Sequence, residues 1–365
     1  MEKTKEKGKI SPILLIFIIL ASLTAALVSA ALIIWFSGRA SLSNKETKAP
    51  ALVEVPKPEE TETVVAEPTP TPNTKIEYDI TSGGRYYKYK DGLINLLLIG
   101  VDSDKKPSKP LEYGSNNQAD VIILASLDTK NNKMSLIAVN RDTMCDITVT
   151  DSDGNITGIA RAQIALSYSY GDGLDVSCQF CRDAVSNLFY GLQIDGYAAF
   201  YMGGVEELND ALGGITVTVL GDYPFTKHSG CRNMKEGEEV MLTGKQAVAY
   251  IRYRLQTEDG NTGRMARQKQ YMLAMISAAR QKIYENPTCV VSLYTSLNKY
   301  IISDLDVGEL SYLATEAAGM SFSGDIYKLE GESVVSDEDH VELTLYDQSL
   351  FDTMISVFYE DVTPE

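Results

Sequence analysis

The chain has 365 residues, of which 44% are hydrophobic and 23% charged, and its formal net charge is −17. With no long basic run after Lys9, that acidity argues against nonspecific nucleic-acid binding. It also makes any local concentration of guanidinium groups informative, because background composition does not account for it.

Lys3, Lys5, Lys7 and Lys9 precede an uncharged stretch from Ile10 to Gly38, longer than the roughly 20 apolar residues that span a bilayer. Lysines before the stretch and few cations after it predict a cytoplasmic N-terminus (residues 1–9) and an extracellular body. Val28-Ser29-Ala30 would suit signal-peptide cleavage, but the apolar run continues through Phe36, beyond an h-region of about 7–15 residues. The expectation is therefore an uncleaved, single-pass transmembrane anchor over 10–38. Residues 39–76, rich in Pro, Glu and Thr and including the Pro68–Pro72 repeat, are expected to form a disordered linker that holds the body off the membrane. The folded part is expected over 77–290, with 291–365 supplying helices and strands that pack on or extend it.

Within that part, the apolar run Asn95 to Val101 predicts a buried strand that delivers Asp102 to a sheet end. A polar loop leads to a second strand from Ala119 to Asp128 and a third from Lys133 to Arg141. The turn residues between those two predict a hairpin. Asp151 to Asn155 lacks the later ligand positions of a calcium loop and reads as another hairpin tip. Helices are predicted at Ile164 to Tyr170 and Val176 to Leu192, a strand at Gly196 to Tyr201, a short helix at Val205 to Ala211 stopped by Gly213-Gly214, and a strand at Ile215 to Val219. Arg252 and Arg254, two apart in an apolar aromatic segment, read as one face of a strand. A long helix from Arg264 to Tyr284 places Arg264, Arg267 and Gln268 on one face and Met265, Met272 and Met275 on an apolar stripe. Strands near 326–329 and 340–345 and a helix near 350–359 complete the chain. The fold class is α/β, with a central mixed sheet flanked by helices. Five cysteines and two histidines make Cys178-Gln-Phe-Cys181 a pair of buried thiols rather than a zinc site, and the odd count leaves at least one thiol unpaired within a monomer.

Charged residues at element ends carry the chemistry. Asp102 and Asp120 can hold a hard divalent cation such as Mg2+, which keeps waters and takes further oxygens from a phosphate. Arg141, Arg252, Arg254, Arg264 and Arg267 would neutralise the remaining charge of a phosphate or pyrophosphate. Metal and guanidinium groups that stabilise charge, with a carboxylate to orient or deprotonate a nucleophile, are what phosphoryl transfer needs.

Asn95-LLLIGVD-Ser103, Ala119-Asp120-VIILASLD, Val139-Asn140-Arg141-Asp142-Thr143, Tyr168-Ser-Tyr-Gly171, Asp210-Ala-Leu-Gly-Gly-Ile215, Ala249-Tyr-Ile-Arg-Tyr-Arg254 and Gly263-Arg264-x-x-Arg267-Gln268 occur in that order. Together, from about Leu93 to Tyr284, they resemble the LytR-CpsA-Psr family of cell-wall enzymes. The resemblance implies a membrane-anchored phosphotransferase that moves a glycopolymer from a polyprenyl-pyrophosphate carrier to a peptidoglycan hydroxyl and releases polyprenyl phosphate. It implies Asp102 and Asp120 as metal and catalytic acids, with Mg2+, or Mn2+ in its place, and Arg141 as a further catalytic group. Arg252, Arg254, Arg264, Arg267, Gln268 and Gln118 would bind the pyrophosphate. The chain departs from the pattern at Gln118, where the family usually has Arg, at Cys145, and near Ala165. Gln118 lacks the bidentate cation, so a non-catalytic binder or regulator of polyprenyl-pyrophosphate-linked glycans is the alternative. Retention of both acids favours the enzyme, and a pyrophosphatase that hydrolyses without transfer is a third reading.

Overall fold

The computed structural model describes residues 32–43, 45, 47–52, 77–114, 117–222, 233–253, 260–324, 326–336 and 340–364, without the side chains of 260–262. In chain order the first elements are a helix at residues 32–43 (α1) and strands β1 (Ile80–Ser82), β2 (Arg85–Tyr89), β3 (Leu93–Val101), β4 (Ala119–Asp128), β5 (Lys133–Val139), β6 (Met144–Thr150) and β7 (Ile156–Gln163). Then come α2 (Leu166–Ser169), α3 (Asp175–Leu188), β8 (Gly196–Tyr201), α4 (Val205–Leu212), β9 (Ile215–Thr218), β10 (Glu239–Leu242), α5 (Gly244–Arg252) and α6 (Gly260–Glu285). The remainder is α7 (Cys289–Leu297), β11 (Ile301–Ser303), α8 (Val307–Gly319), β12 (Ile326–Lys328), β13 (Gly331–Val335), β14 (Val341–Leu345), α9 (Asp347–Phe358) and β15 (Tyr359–Asp361).

The central sheet is mixed and runs β11-β8-β3-β4-β5-β12. β3 pairs antiparallel with β4 and parallel with β8, and β4 with β5 forms the expected antiparallel hairpin. β3 sits at the middle and buries nearly every side chain, which is why its sequence is a continuous apolar run rather than an alternation. One face is covered by α3 and α9 through Cys178, Val185, Phe351 and Phe358. The other is covered by α1, α6 and α8, with Leu42, Tyr312 and Leu313 packed on Ile94, Leu96 and Ile123. A third cluster joins β9 and β10 to α4, α5 and α6. The C-terminal segment extends the sheet at both edges, because β11 pairs with β8 and β12 pairs in parallel with β5. Asp151–Asn155 is the tip of the β6–β7 hairpin, with Asp151 accepting from the Asp153 and Asn155 amides.

Three expectations are corrected. Arg252 ends a helix, not a strand. Thr243 and Gln246 form a capping box ahead of α5, and that start signal outweighs the β-leaning aromatic residues after it. Arg254 lies outside the described residues. Within the expected linker, α1 continues to residue 43 and residues 50–52 pack on the fold. Trp35 Nε1 donates to Thr315 Oγ1 at 2.8 Å, Ser41 donates to Glu309 at 2.6 Å, and the Gly38 and Gly308 backbones touch where a side chain would collide. Ala51 N then donates to Tyr190 O, and Leu52 is buried. The methionines of α6 do not share one stripe: Met272 packs beneath the sheet, Met275 joins the β9–β10 cluster and Met265 is exposed.

Most of the expected anchor and the rest of the expected linker lie outside the described residues, among which no helix is long and apolar enough to cross a membrane. Cys145, Cys178, Cys181 and Cys289 are buried free thiols, and burial pushes Cys145 and Cys181 up to about 12. Cys231 lies outside the described residues.

Candidate active site

The site forms where β3 ends and β4 begins. Gly100 pairs with Val121 but Val101 pairs with Ala119, so the register skips Asp120. Asp120 is the extra residue of a β-bulge, which turns its carboxylate away from the ladder. Asp102 follows β3 directly. The two carboxylates are close enough for the charge of Asp102 to act on Asp120.

Arg141 reaches the bulge from the turn after β5. Asn140 shapes that turn, its side chain accepting from Asp142 N at 3.0 Å. The Arg141 guanidinium bonds Asp120 Oδ1 and Gln118 Oε1, and its Nε lies 3.6 Å from Asp142. Ala165, where a polar residue was expected, is fully buried. Its backbone ties the two strands together, accepting from Ala119 N at 3.2 Å and donating to Arg141 O at 3.1 Å. Gln118 therefore orients Arg141, and its amide oxygen is engaged by that cation.

Arg252 arrives at the C-terminus of α5, where a cation is favoured by the helix dipole. Its Nη2 lies 3.0 Å from Asp102 Oδ1 and 3.8 Å from Asp104 Oδ1. The helix is fixed at its other end by Asp210, which accepts from Gly244 N at 2.7 Å. Asp210 precedes Gly213, whose left-handed φ of 95° ends α4. Arg264, in the first turns of α6, is near enough for its charge to lower the Asp120 pKa. Strand ends and two helix termini thus bring Asp102, Asp120, Arg141, Arg252 and Arg264 to one place.

Arg267 and Gln268 are placed differently. Arg267 is 1% exposed. Its Nε donates to Tyr250 O at 2.8 Å, Nη2 bonds Tyr253 O, and the guanidinium lies over the Tyr250 ring. Gln268 donates to Ile251 O at 3.2 Å. Both hold the end of α5, so in this arrangement they support Arg252 instead of facing the carboxylates. Sequence reasoning missed Asp104, beside Arg252, and placed Asp142 next to Arg141 at a strand end without giving it a role. Their nearness to Asp102 and Arg141 in the chain was the available signal.

Burial pushes the Asp120 pKa above the ordinary aspartate value; Arg141 opposes that shift, Asp102 adds to it and Arg264 opposes it. Removing a cation must therefore raise the value further, and removing Asp102 must lower it. A carboxyl 13C titration should show the Asp120 midpoint moving to higher pH in Arg141→Gln and to lower pH in Asp102→Asn. Shifts of the same sign in both would contradict this electrostatic arrangement.

The donor set suits Mg2+. Asp102 and Asp120 are hard oxygen donors near enough to feel each other's charge, a repulsion that a cation would relieve, with the remaining positions of an octahedral ion left to water and phosphate oxygens. Among the described residues there is no group of three or more protein ligands.

The LytR_cpsA_psr family matches residues 59–350. TagU of Oceanobacillus iheyensis, a polyisoprenyl-teichoic acid–peptidoglycan teichoic acid transferase, is 29% identical over 267 residues, which make up 69% of this chain and 74% of that protein. TagV of Bacillus subtilis, described as the same kind of transferase, is 32% identical over 194 residues, 50% of this chain and 46% of TagV. The crystal structure of B. subtilis TagV aligns with a TM-score of 0.56 at 23% identity, over 74% of this chain and 97% of that one. TagT bound to LIIa-WTA aligns at 0.52 with 16% identity, over 73% of this chain and 90% of TagT. At those identities the structures establish the shared fold, and the family match extends through every element that supplies the site. The chain belongs to the LytR_cpsA_psr family.

Proposed function

We propose that the protein is a phosphotransferase that moves a glycopolymer from a polyprenyl-pyrophosphate carrier onto a peptidoglycan hydroxyl. The convergence of Asp102 and Asp120 with Arg141, Arg252 and Arg264 carries this reading, and the transferase names of its relatives support it. The N-terminal run from Ile10 would anchor it as a single-pass membrane protein, with the folded part on the outer side.

In this mechanism Arg252 and Arg264 bind the pyrophosphate and neutralise charge that grows on the leaving phosphate. Arg141 steadies Asp120 and the transferring phosphoryl group. The acceptor hydroxyl oxygen forms a bond to the phosphorus that bears the glycan. The bond from that phosphorus to the bridging oxygen breaks, and polyprenyl phosphate leaves. Asp120, the less exposed carboxylate with its basicity raised by burial, takes the hydroxyl proton. Asp102 and Asp120 would hold Mg2+, which supplies Lewis-acid stabilisation of the phosphate oxygens.

The test follows release of polyprenyl phosphate and attachment of glycan to peptidoglycan fragments by the full chain, with and without Mg2+. Arg252→Ala should weaken retention of the lipid pyrophosphate by about 10- to 100-fold, as loss of a charge-assisted contact does. Unchanged affinity in that variant would remove Arg252 from the site. Tight binding with no turnover in the unmodified protein would replace the transferase with a binder, and release without attachment would make it a pyrophosphatase.

A further inference from the structure

The chain touches the folded body on both sides of the Pro-, Glu- and Thr-rich segment. Before it, Trp35 donates to Thr315, Gly38 meets Gly308, and Ser41 donates to Glu309. The chain then passes from the α8 face of the sheet to the α3 face, with Leu42 buried in the first cluster and Leu52 in the second. On the way Lys45 Nζ donates to Asp195 O at 2.7 Å and Ala51 N donates to Tyr190 O at 2.8 Å. After the segment, Ile80 of β1 is buried in the same cluster as Leu52. Residues 53–76 therefore join two points of one body. They do not separate that body from what precedes α1.

What precedes α1 is the apolar run. The first contact with α8, at Trp35, comes before that run ends at Gly38, so no spacer lies between them. Roughly 20 residues from Ile10 would span a bilayer and bring the chain out near Ala30. Leu32, Ile33 and Phe36 follow on the side of α1 that α8 leaves uncovered, each more than half exposed. Trp35 is the kind of residue that sits at headgroup level. Arg39, the first cation after the run, lies over its ring at 5.7 Å.

We propose that the folded body rides directly on the outer leaflet of the membrane, with the uncovered side of α1 in the headgroup region and α8 clamped behind it. The bilayer is the partner of that apolar side, because α1 is continuous with the run that enters the bilayer. This rests on the anchor reading given above, and adds that the Pro-rich segment is a loop on the body and no tether. As a tether, its 53–76 span would let the body drift by about 25 Å, and adding a second copy of most of it would add about 10 Å. As a loop, its length has no bearing on the height of the body, and lengthening it costs little stability. The charged diphosphate of a lipid carrier is kept out of the hydrocarbon and lies at that same level.

The full chain in vesicles tests this through its single tryptophan and a fluorophore on α8. Gly319→Cys carries the fluorophore, since a side chain there meets nothing within 4 Å, in a Cys231→Ser background. Energy transfer to headgroup-labelled lipid should be unchanged when residues 55–74 are duplicated in tandem. Gly308→Leu, whose side chain would press on Ile34 O, should lower transfer while flotation with the vesicles is retained. Trp35 emission should be quenched by lipid brominated near the headgroup. A fall in transfer on duplication would restore the tether and overturn the docking while leaving the anchor. Loss of flotation by the unmodified chain would remove both. Full transfer in a folded Gly308→Leu variant, or Trp35 emission that brominated lipid leaves untouched, would give the apolar side of α1 another partner, a second copy included, and overturn the docking as well. Should Gly308→Leu unfold the body, the duplication alone decides.

Discussion

Replacing Asp120 by alanine is expected to lower glycan transfer by about 10^2- to 10^4-fold, the range a positioned general base contributes. The fold should be retained, because Asp120 is a bulge residue that takes no partner in the β3–β4 register. The ladder on either side closes through Ala119 and Val121 without it. The substitution also removes the carboxylate that Arg141 grips, so the guanidinium is released toward the substrate phosphate. Measured without Mg2+, affinity for the lipid pyrophosphate should therefore be maintained or rise while turnover falls. Asp120→Asn separates the two effects, since an amide keeps a hydrogen bond to Arg141 but has no base strength. Single-turnover rates and diphosphate affinities for the pair make the comparison. Near-normal turnover in Asp120→Asn would exclude Asp120 as the proton acceptor.

How much of this site was legible in the sequence depends on the kind of information each residue needed. β3, β4 and β5 are long apolar runs bounded by turn residues, so their order, their hairpin and the delivery of Asp102 to a sheet end were readable. The bulge at Asp120 was not, because a one-residue register change leaves no mark on hydrophobic periodicity. Arg252 shows the opposite case. The signal was present in Thr243-Gly-Lys-Gln246, a helix start, but the aromatic and β-branched residues after it suggested a strand. Tertiary packing of α5 against α4 and α6 decides the matter.

The N-terminal segment illustrates a limit of hydropathy. An apolar run reports only that a surface must leave water, and a bilayer and a protein surface satisfy it equally well. Trp35 and Gly38, at the end of the run, pack on α8, where Gly38 meets Gly308 in close backbone contact. Close approach at paired glycines is a packing device that spacing in one helix does not reveal. The same is true of α6. Helical periodicity correctly grouped Arg264, Arg267 and Gln268 on neighbouring positions. It does not reveal that α6 lies against α5, so that Arg267 is buried beneath Tyr250 while the charge of Arg264 acts on Asp120.

That burial makes Arg267 the position with the largest expected effect on stability. Arg267→Ala should destabilise the protein by about 3 kcal/mol or more, from the buried hydrogen bonds to Tyr250 O and Tyr253 O that are lost and from the volume lost. For a chain of this size, with an unfolding entropy of about 2.1 cal/mol/K per residue, that corresponds to a fall in melting temperature of about 4–5 °C. This guanidinium links Tyr250 O and Tyr253 O across the end of α5, and Arg252 lies between them. Activity should therefore fall through misplacement of Arg252, not through loss of a substrate contact. Arg267→Lys discriminates, because lysine keeps the charge but has no planar fork to reach both carbonyls. If Arg267 acted directly on the pyrophosphate as a point charge, Arg267→Lys would recover most of the activity. If it clamps the helix, Arg267→Lys should recover neither the melting temperature nor the activity in full, and the two deficits should scale together across Lys, Met and Ala.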